Sequence, residues 1–374
     1  MSWRTCRLGD VLTLKRGHDL PELSRQDGEV PVVSSSGITG RHKEAKASAP
    51  GVVTGRYGTI GEVFYLEEDF WPLNTALYVI DFKGNDPRFS AYLLRNVLKG
   101  YQSEKAAVPG VDRNVLHEIK VRAPTHALQL RIAEVLSTYD NLIENNCRRI
   151  SLLESSVHLL YRDWFVRLRF PGREHTPSIN GVPYGWKHVP VPMAIEINPK
   201  TKLSDDDEHW FVEMACLSTE SMVISDANLR EGRSGTKFRN GDTLFARITP
   251  CLENGKTGYV DFLPDGATGR GSTEFIVLRS KHVTSEYVYC LSRTYEFRAN
   301  AIKSMIGSSG RQRVQESCFE KFIVFITPAS LLHQFSEFAT PAFLQIKSLA
   351  AQNHKLRVAR DLLLPRLLSG ALAV

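Results

Sequence analysis

The sequence has no long hydrophobic run and no paired cysteines. No stretch approaches the ~18 consecutive apolar residues that a membrane helix requires, and the first residues lack the charged-then-apolar layout of a signal peptide. The six cysteines are spread along the chain without a C-x-x-C pair, which favours reduced thiols over a disulfide framework or a zinc cluster. We therefore expect a cytoplasmic protein with neither disulfide bridges nor a bound metal.

The common catalytic and cofactor-binding motifs are also missing. There is no H-E-x-x-H, no G-x-S-x-G and no G-x-G-x-x-G after a strand. Gly255-Lys-Thr257 resembles the end of a phosphate-binding loop, but Pro250 stands where the first glycine is required. Asn198-Pro199-Lys200 begins like the loop of amino-methyltransferases and departs at its third residue, and the acidic run 205–208 is typical of a solvated loop. We predict no catalytic residues, no metal and no cofactor of its own, which argues against a self-sufficient nuclease or methyltransferase.

Length and composition allow several domains. The 374 residues suffice for two or more, and 42% hydrophobic and 24% charged residues are ordinary for a globular protein. A formal net charge of +6 permits a polyanionic partner but is compatible with many enzymes.

What the sequence does contain is a weak internal repeat. Glu118–Pro124 and Phe322–Pro328 each predict a strand, a proline and then a long helix. Gly51–Gly58 and Gly241–Ile248 each predict an apolar strand that ends on an arginine. Because self-similarity of this kind marks a duplicated architecture, we expect two related globular parts.

Two long stretches, 125–168 and 329–374, carry apolar residues at steps of three and four, the pattern of one helix face. The first is typical of a coiled-coil helix. Each seam includes an asparagine, which either pairs the two helices at a buried register position or faces solvent at a frayed seam. Pro341 predicts a kink or interruption of the second helix, and Pro365 predicts a bend or its end. The residues assigned to helix packing or partner contact are Leu128, Ile132, Val135, Tyr139, Asn146, Leu153, Leu160, Phe338, Leu349, Asn353, Leu356 and Leu363.

The rest of the chain predicts mixed, mostly extended structure. Residues 1–124 and 182–328 alternate short β-branched and aromatic runs with glycine-rich turns. Each of these parts also holds a predicted helix, Arg88–Leu98 in the first and Ser285–Lys303 in the second, and residues 169–181 form a linker. The predicted fold class is α+β, with two mixed α/β domains and two long helices.

Arginines and lysines recur at turns and strand ends in both predicted domains. Guanidinium groups read guanine bidentately in the major groove, and lysines contact phosphates. Any one of these residues is as easily a solvated loop charge, but their repetition in both domains favours DNA contact. The candidates are Lys15, Arg16, Arg41, Lys43, Arg56, Tyr57, Arg113, Arg233, Lys237, Arg247, Lys256, Arg270, Arg311 and Arg313.

Motifs near the helix ends resemble the specificity subunits of type I restriction-modification systems. They are Gln129–Leu136, Leu160–Val166 followed by Arg169–Gly172, and Leu362–Gly370. The resemblance implies that 1–124 and 182–328 are target-recognition domains 1 and 2, each reading one half of a split DNA sequence. It also implies that the conserved helices, central (125–168) and C-terminal (329–374), separate these domains, packed as an antiparallel coiled coil that sets the spacing of the half-sites.

The resemblance further implies partners for a non-catalytic chain. Two methyltransferase subunits would bring S-adenosylmethionine and methylate adenine, and restriction/translocase subunits would use ATP and Mg for translocation and cleavage. The second copy departs from the first at His333, which stands where the first has Gln129. The alternative hypothesis is a scaffold that assembles proteins through its helices and carries basic loops only for solubility.

Overall fold

The computed structural model describes residues 3–57, 61–99, 101, 110–308 and 310–374. The chain divides into two compact units. Unit 1 is Met1–Ile143 with His354–Val374, and unit 2 is Glu144–Asn353. Gly58, the last residue of one repeat segment, lies outside the described residues.

Unit 1 begins with short strands, continues with two helices and a further strand, and leads into a long helix. The elements are β1 (Trp3–Arg7), β2 (Thr13–Arg16), β3 (Val30–Ser34), β4 (Gly37–His42), β5 (Gly51–Gly55), β6 (Val63–Leu66), β7 (Trp71–Pro72), β8 (Ala76–Asp81), α1 (Pro87–Lys99), α2 (Arg113–Glu118), β9 (Lys120–Pro124) and α3 (His126–Tyr161). Residues 126–143 of α3 belong to unit 1 and the remainder to unit 2.

The sheets of unit 1 are small and mostly antiparallel. A four-stranded sheet has the order β2-β8-β5-β6, a second has the order β4-β3-β7, and β1 pairs with β9. Strand β5 is buried along its whole length, which explains its uninterrupted run of small and apolar residues. The main core of the unit includes Leu128 and Ile132 of α3 with Leu367 and Leu368.

Unit 2 repeats this plan after the second part of α3. A π-helical turn at Arg162–Val166 ends that helix. The elements that follow are β10 (Ser178–Ile179), β11 (Val182–Pro183), β12 (Lys187–Pro190), α4 (Val191–Ala194), β13 (Ile195–Ile197), β14 (Glu208–Val212), β15 (Asn228–Glu231), β16 (Thr236–Arg239), β17 (Thr243–Ala246), β18 (Thr257–Tyr259), β19 (Thr268–Gly271), β20 (Phe275–Ser280), α5 (Ser285–Ser292), α6 (Tyr295–Lys303), β21 (Ile323–Ile326) and α7 (Ala329–Ser369).

The predicted internal repeat is visible in the strand orders. The sheet β13-β20-β17-β18 of unit 2 has the same order and antiparallel pairing as β2-β8-β5-β6 of unit 1. The pair β12–β21 corresponds to β1–β9, and the parallel pair β14–β19 corresponds to β3–β7. The two units therefore share one architecture of mixed α and β elements. In the residues described, no helix is long and apolar enough to cross a membrane.

Two predicted helices have different bounds. The predicted helix Ser285–Lys303 is two helices, because the Thr294 side chain accepts a hydrogen bond from the Phe297 backbone N–H and starts α6. The predicted interruption at Pro341 was wrong, since α7 runs from Ala329 to Ser369 without a break. The same range shows that Pro365 does not end it.

The physical reason lies in the packing around Pro341. Proline has no N–H to donate to the carbonyl four residues earlier, and the residue at that position, Glu337, is exposed. On the opposite side Ala339, Ala342 and Phe343 are buried in the core of unit 2. This burial outweighs one lost backbone hydrogen bond. The helix ends instead at Ser369, just before Gly370, whose φ of +74° a glycine adopts without strain.

Candidate nucleic-acid interface

The two arginines of the repeat segments occupy the same place in their units. Arg56 follows β5 and Arg247 follows β17, and these strands correspond. The Arg56 N–H donates to Thr75 O at 2.9 Å, and the Arg56 carbonyl accepts from the Val111 N–H at 2.9 Å.

Unit 2 repeats these backbone bonds. The Arg247 N–H donates to Glu274 O at 3.0 Å, and its carbonyl accepts from the Val314 N–H at 2.9 Å. The fold therefore presents one guanidinium from an equivalent strand end in each unit.

The two guanidinium groups differ in their local partners. Arg56 lies over the ring of exposed Tyr57, 4.6 Å from its centroid, a cation–π contact that holds the group at the surface. Arg247 donates from Nη2 to Val314 O at 3.2 Å and lies 3.5 Å from Glu316. Its side chain is 25% exposed, so these two contacts orient the guanidinium group while it still reaches the surface.

Arg247 lines an open groove of about 750 Å³ in unit 2. The cationic lining residues are Lys200, Lys202, Arg233, Lys237 and Arg247. The remaining lining residues are Asn198, Pro199, Thr201, Leu203, Thr236, Thr273 and Phe275. No carboxylate is among the lining residues that the structure describes, although Asp205 lies 3.5 Å from Arg233 and Glu316 lies 3.5 Å from Arg247 beside the groove. The excess positive charge therefore comes mainly from Lys200, Lys202 and Lys237, and this charge and the concavity suit a polyanion.

The groove joins three of the predicted candidates with two lysines that were not predicted to contact DNA. Arg233, Lys237 and Arg247 come from different segments and meet here. Lys200 had been considered only as part of a methyltransferase-like loop, and Lys202 not at all. The sequence did contain a signal for these residues, since two lysines lie two positions apart just before the acidic run 205–208.

In unit 1, Trp71 brings together two of the predicted basic segments. Its ring centroid lies 6.4 Å from that of His18, which follows Lys15 and Arg16, and 5.2 Å from that of His42, which lies between Arg41 and Lys43. Lys46 lies 5.0 Å over the same ring. Burial, together with Lys15 and Lys46, lowers the pKa of His18. Trp71 was not among the residues predicted from the sequence.

The remaining candidates of unit 1 are exposed. Arg16 lies 4.0 Å from Asp19, Arg41 lies 3.6 Å from Glu29, and Lys43 lies 3.7 Å from Glu44. Such surface pairs contribute ~0–1 kcal/mol, so a phosphate could displace the carboxylate at little cost. Arg113 is the exposed first residue of α2.

Arg270 was wrongly predicted as a surface group. It is 4% exposed and lies on β19, inside the sheet β15-β14-β19-β16. Its guanidinium donates to Arg230 O at 3.0 Å and to Ser234 O at 3.3 Å. Its side chain therefore bonds its own unit.

The glycines on either side of Arg270 had suggested a turn. A Cβ at Gly269 would lie 2.4 Å from the Phe238 ring, and one at Gly271 would lie 2.7 Å from Val212 O. These glycines therefore permit close packing within a strand.

Three further candidates of unit 2 differ in how they are engaged. Lys256 donates from Nζ to Met214 O at 2.8 Å. Arg313 donates from Nε and Nη2 to the Glu274 carboxylate at 2.9 and 2.6 Å, and this bond holds the pKa of Glu274 below its usual value. Arg311 is exposed.

The predicted helix residues are mostly on packed faces. In unit 2 the Asn146 side-chain amide donates from Nδ2 to Asn353 Oδ1 at 3.0 Å, and the two residues are 7% and 2% exposed. The pair is therefore buried and does not face solvent. The other predicted helix residues with buried or half-buried side chains are Leu128, Ile132, Val135, Tyr139, Leu153, Leu160, Leu349, Leu356 and Leu363.

Phe338 is a correction, because it is 48% exposed. The packed seam of α7 passes through Phe335, Ala339 and Ala342 instead. Steps of four and three from Phe335 reach Ala339 and Ala342, whereas Phe338 lies outside this row.

Gln129 and His333 hold corresponding positions with different surroundings. Gln129 is 2% exposed and donates from Nε2 to Asn85 Oδ1 at 2.8 Å and to Pro124 O at 3.0 Å. Its Oε1 accepts from the Asp86 N–H at 2.9 Å. The His333 side chain is 77% exposed, beside Glu337. The helix start is thus fastened by a buried amide in unit 1 alone.

Comparison with known proteins gives a family match for the first part of the chain and a fold match over its length. Residues 1–155 match the family described as the type I restriction modification DNA specificity domain. Over its length the fold is similar to the crystal structure of the type I restriction-modification S subunit from M. genitalium, with a TM-score of 0.57, 13% identity, and coverage of 98% of this chain and 96% of that one. At this identity the likeness concerns the fold alone.

Curated relatives agree with that class. The specificity subunits of the Escherichia coli type I restriction enzymes EcoEI and EcoAI are 32% and 34% identical over 154 and 146 residues, which are 39% and 37% of this chain. These matches span 26% and 25% of the two relatives. The MjaIX specificity subunit of Methanocaldococcus jannaschii is 22% identical over 282 residues, 71% of this chain and 63% of that protein. Residues 1–155 therefore carry the type I restriction modification DNA specificity domain, and the fold of the chain is similar to that of a type I S subunit.

Proposed function

We propose that this chain selects the DNA sequence on which a type I restriction-modification complex acts, with each unit reading one half of a bipartite target. The observation that carries the proposal is the duplicated architecture, which presents Arg56 and Arg247 from equivalent strand ends. Bidentate contact of an arginine with guanine is the commonest specific contact in the major groove. Two similar units, each with its own arginine, suit a target in two halves.

The long helices are the proposed spacer and partner-docking elements. They pack as an antiparallel coiled coil in this proposal, and their length fixes the separation of the half-sites, because successive major-groove faces recur about every 34 Å. The Asn146–Asn353 bond supports the proposal, since a buried asparagine pair sets helix register. Apolar residues of α3 and α7 that remain exposed, such as Leu152 and Leu344, offer surface for partner subunits.

As a specificity subunit, the chain is not itself the enzyme of the complex. The proposed partners are two methyltransferase subunits, which bind S-adenosylmethionine and methylate adenine, and restriction/translocase subunits, which use ATP and Mg. The proposed division of labour leaves DNA recognition and partner docking to this chain.

Binding of a split duplex tests the proposal. The chain is assembled with methyltransferase subunits, and binding is measured by fluorescence anisotropy on a duplex that carries the motif methylated in the host genome. Tight binding of this duplex, lost when either half is scrambled or the spacer is changed by one base pair, is expected. Capture of partner subunits without salt-sensitive DNA affinity would support the scaffold hypothesis instead.

Substitution of the equivalent arginines separates the two halves. Arg56→Ala should relax reading of one half-site and Arg247→Ala the other, each by ~1–3 kcal/mol if the contact is bidentate to a base. An equal loss on every sequence would indicate a phosphate contact.

A further inference from the structure

Residues 198–203 form a loop along one side of the unit 2 groove. Lys200 and Lys202 are exposed and line the groove, whereas Leu203 is 3% exposed and anchors the end of the loop. A lysine ammonium is a compact charge with rotatable donors, which suits a phosphate better than a base edge. Two lysines on one anchored loop can therefore contact neighbouring phosphates without reading sequence.

The middle of this loop is fastened to a buried ion pair. Arg279 donates from Nη2 to Thr201 Oγ1 at 2.9 Å. The same guanidinium bonds Asp242 through Nε and Nη2, each at 2.7 Å, and the two side chains are only 8% and 1% exposed. A bidentate pair this deeply buried is oriented firmly. Arg279 itself does not line the groove.

The start of the loop is fastened by Asn198. Its backbone has a φ of +48°, and it exchanges bonds with Val277: its N–H donates to Val277 O at 2.8 Å and its Oδ1 accepts from the Val277 N–H at 2.9 Å. Its Nδ2 donates to Glu316 Oε1 at 2.8 Å. Because Glu316 also pairs with Arg247, one carboxylate orients both the loop and the arginine.

We infer that Lys200 and Lys202 contact the phosphate backbone of DNA in the unit 2 groove, and that Arg279 is a positioning residue that acts on them through Thr201. This inference rests on the proposed function, because it assumes that unit 2 binds duplex DNA. In this inference the loop contacts phosphates whatever the DNA sequence, and Arg247 contacts the bases.

The test uses the chain assembled with its methyltransferase subunits and two labelled duplexes, one with the genomic motif and one unrelated. Affinity is measured across a series of salt concentrations. The double variant Lys200→Ala/Lys202→Ala should weaken binding of both duplexes by the same factor and make the slope of log K against log salt shallower by about 1.8, at about 0.9 per phosphate. Lys187→Ala, at an exposed lysine outside the groove lining, should leave the slope unchanged.

A matched pair of Thr201 variants tests the positioning role of Arg279. Thr201→Val removes the hydroxyl that Arg279 holds and keeps the shape, whereas Thr201→Ser keeps a hydroxyl. Thr201→Val should make the salt slope shallower although both lysines remain, and Thr201→Ser should restore the wild-type slope. If Thr201→Val and Thr201→Ser both match the wild type, the positioning role is overturned.

The results separate this inference from the proposed function. A wild-type complex that prefers its motif, together with an unchanged slope in the lysine double variant, overturns the inference alone. A double variant that changes the preferred sequence and leaves the unrelated duplex unaffected also overturns it. A wild-type complex without any preference for the motif overturns the proposed function itself.

Discussion

The buried Asn146–Asn353 bond gives a quantitative prediction for the two long helices. Substitution of either residue by leucine removes this hydrogen bond between two residues that are 7% and 2% exposed, while the Asn353 amide keeps its contact from Nδ2 to Cys147 Sγ at 3.4 Å in Asn146→Leu. Removal of one partner of a buried hydrogen bond costs ~1–3 kcal/mol. Each single variant should therefore lose ~1–3 kcal/mol of unfolding free energy.

The double variant Asn146→Leu/Asn353→Leu should behave differently. It replaces both polar groups with apolar ones of similar size, so no amide is left stranded. Its loss should fall below the sum of the single losses by ~0.5–3 kcal/mol, which is the usual coupling between residues in contact. The matched control is Asn145→Leu on exposed Asn145, which should stay within ~0.5 kcal/mol of the wild type.

Urea denaturation followed by circular dichroism measures the global free energies, and amide hydrogen exchange in residues 144–161 and 335–353 gives the local stability. The reasoning is refuted if both single variants match Asn145→Leu, or if the double loss equals the sum of the single losses. Either result would mean that the asparagines do not depend on each other.

Three further predictions concern buried polar groups. Arg270→Met should lower the free energy of unfolding by roughly 2–4 kcal/mol in urea denaturation, because it leaves backbone carbonyls without their donor. The control Arg311→Ala, at an exposed arginine, should stay within ~0.5 kcal/mol of the wild type. Equal effects of the two variants would contradict the burial of Arg270. Gln129→Ala, which removes three hydrogen bonds, should cost roughly 2–3 kcal/mol, and the corresponding His333→Ala should cost almost nothing in the same assay. Burial raises the pKa of Glu154, but hydrogen bonds with a histidine, a tyrosine hydroxyl and a backbone N–H outweigh it, so the net pKa lies below the usual 4.5. Ionised Glu154 therefore stabilises the fold above pH 4.5, and this contribution is lost as the pH falls through the lower pKa that Glu154 has in the folded protein. When Tm is measured against pH, the fall in Tm at acidic pH should be smaller in Glu154→Gln than in the wild type.

The sequence was informative about periodicity and repetition. The strand-proline-helix segments and the apolar strands that end on Arg56 and Arg247 are local patterns, and a duplicated fold preserves them even where loops differ. The two asparagine positions could also be selected from sequence, since each interrupts an apolar seam. Whether they face each other depends on how the helices pack, which local pattern does not determine.

Other features depend on tertiary contacts that sequence spacing does not reveal. Arg270 was expected at a turn because glycines flank it, but in the structure those glycines permit close packing inside a sheet. Pro341 was expected to interrupt the second long helix because the burial of its neighbours cannot be read from the sequence. Trp71 and Lys200 gain their importance from segments distant in the chain that the fold brings beside them.

The claim that each unit reads its own half of the target is tested most directly by exchange of one domain. Residues 1–124 are replaced with the corresponding segment of a known type I specificity subunit, and the methylated motif is read from the host genome. The account predicts that one half of the motif changes while the other half and the spacer length stay the same. A motif unchanged in both halves, or changed in both, would contradict it.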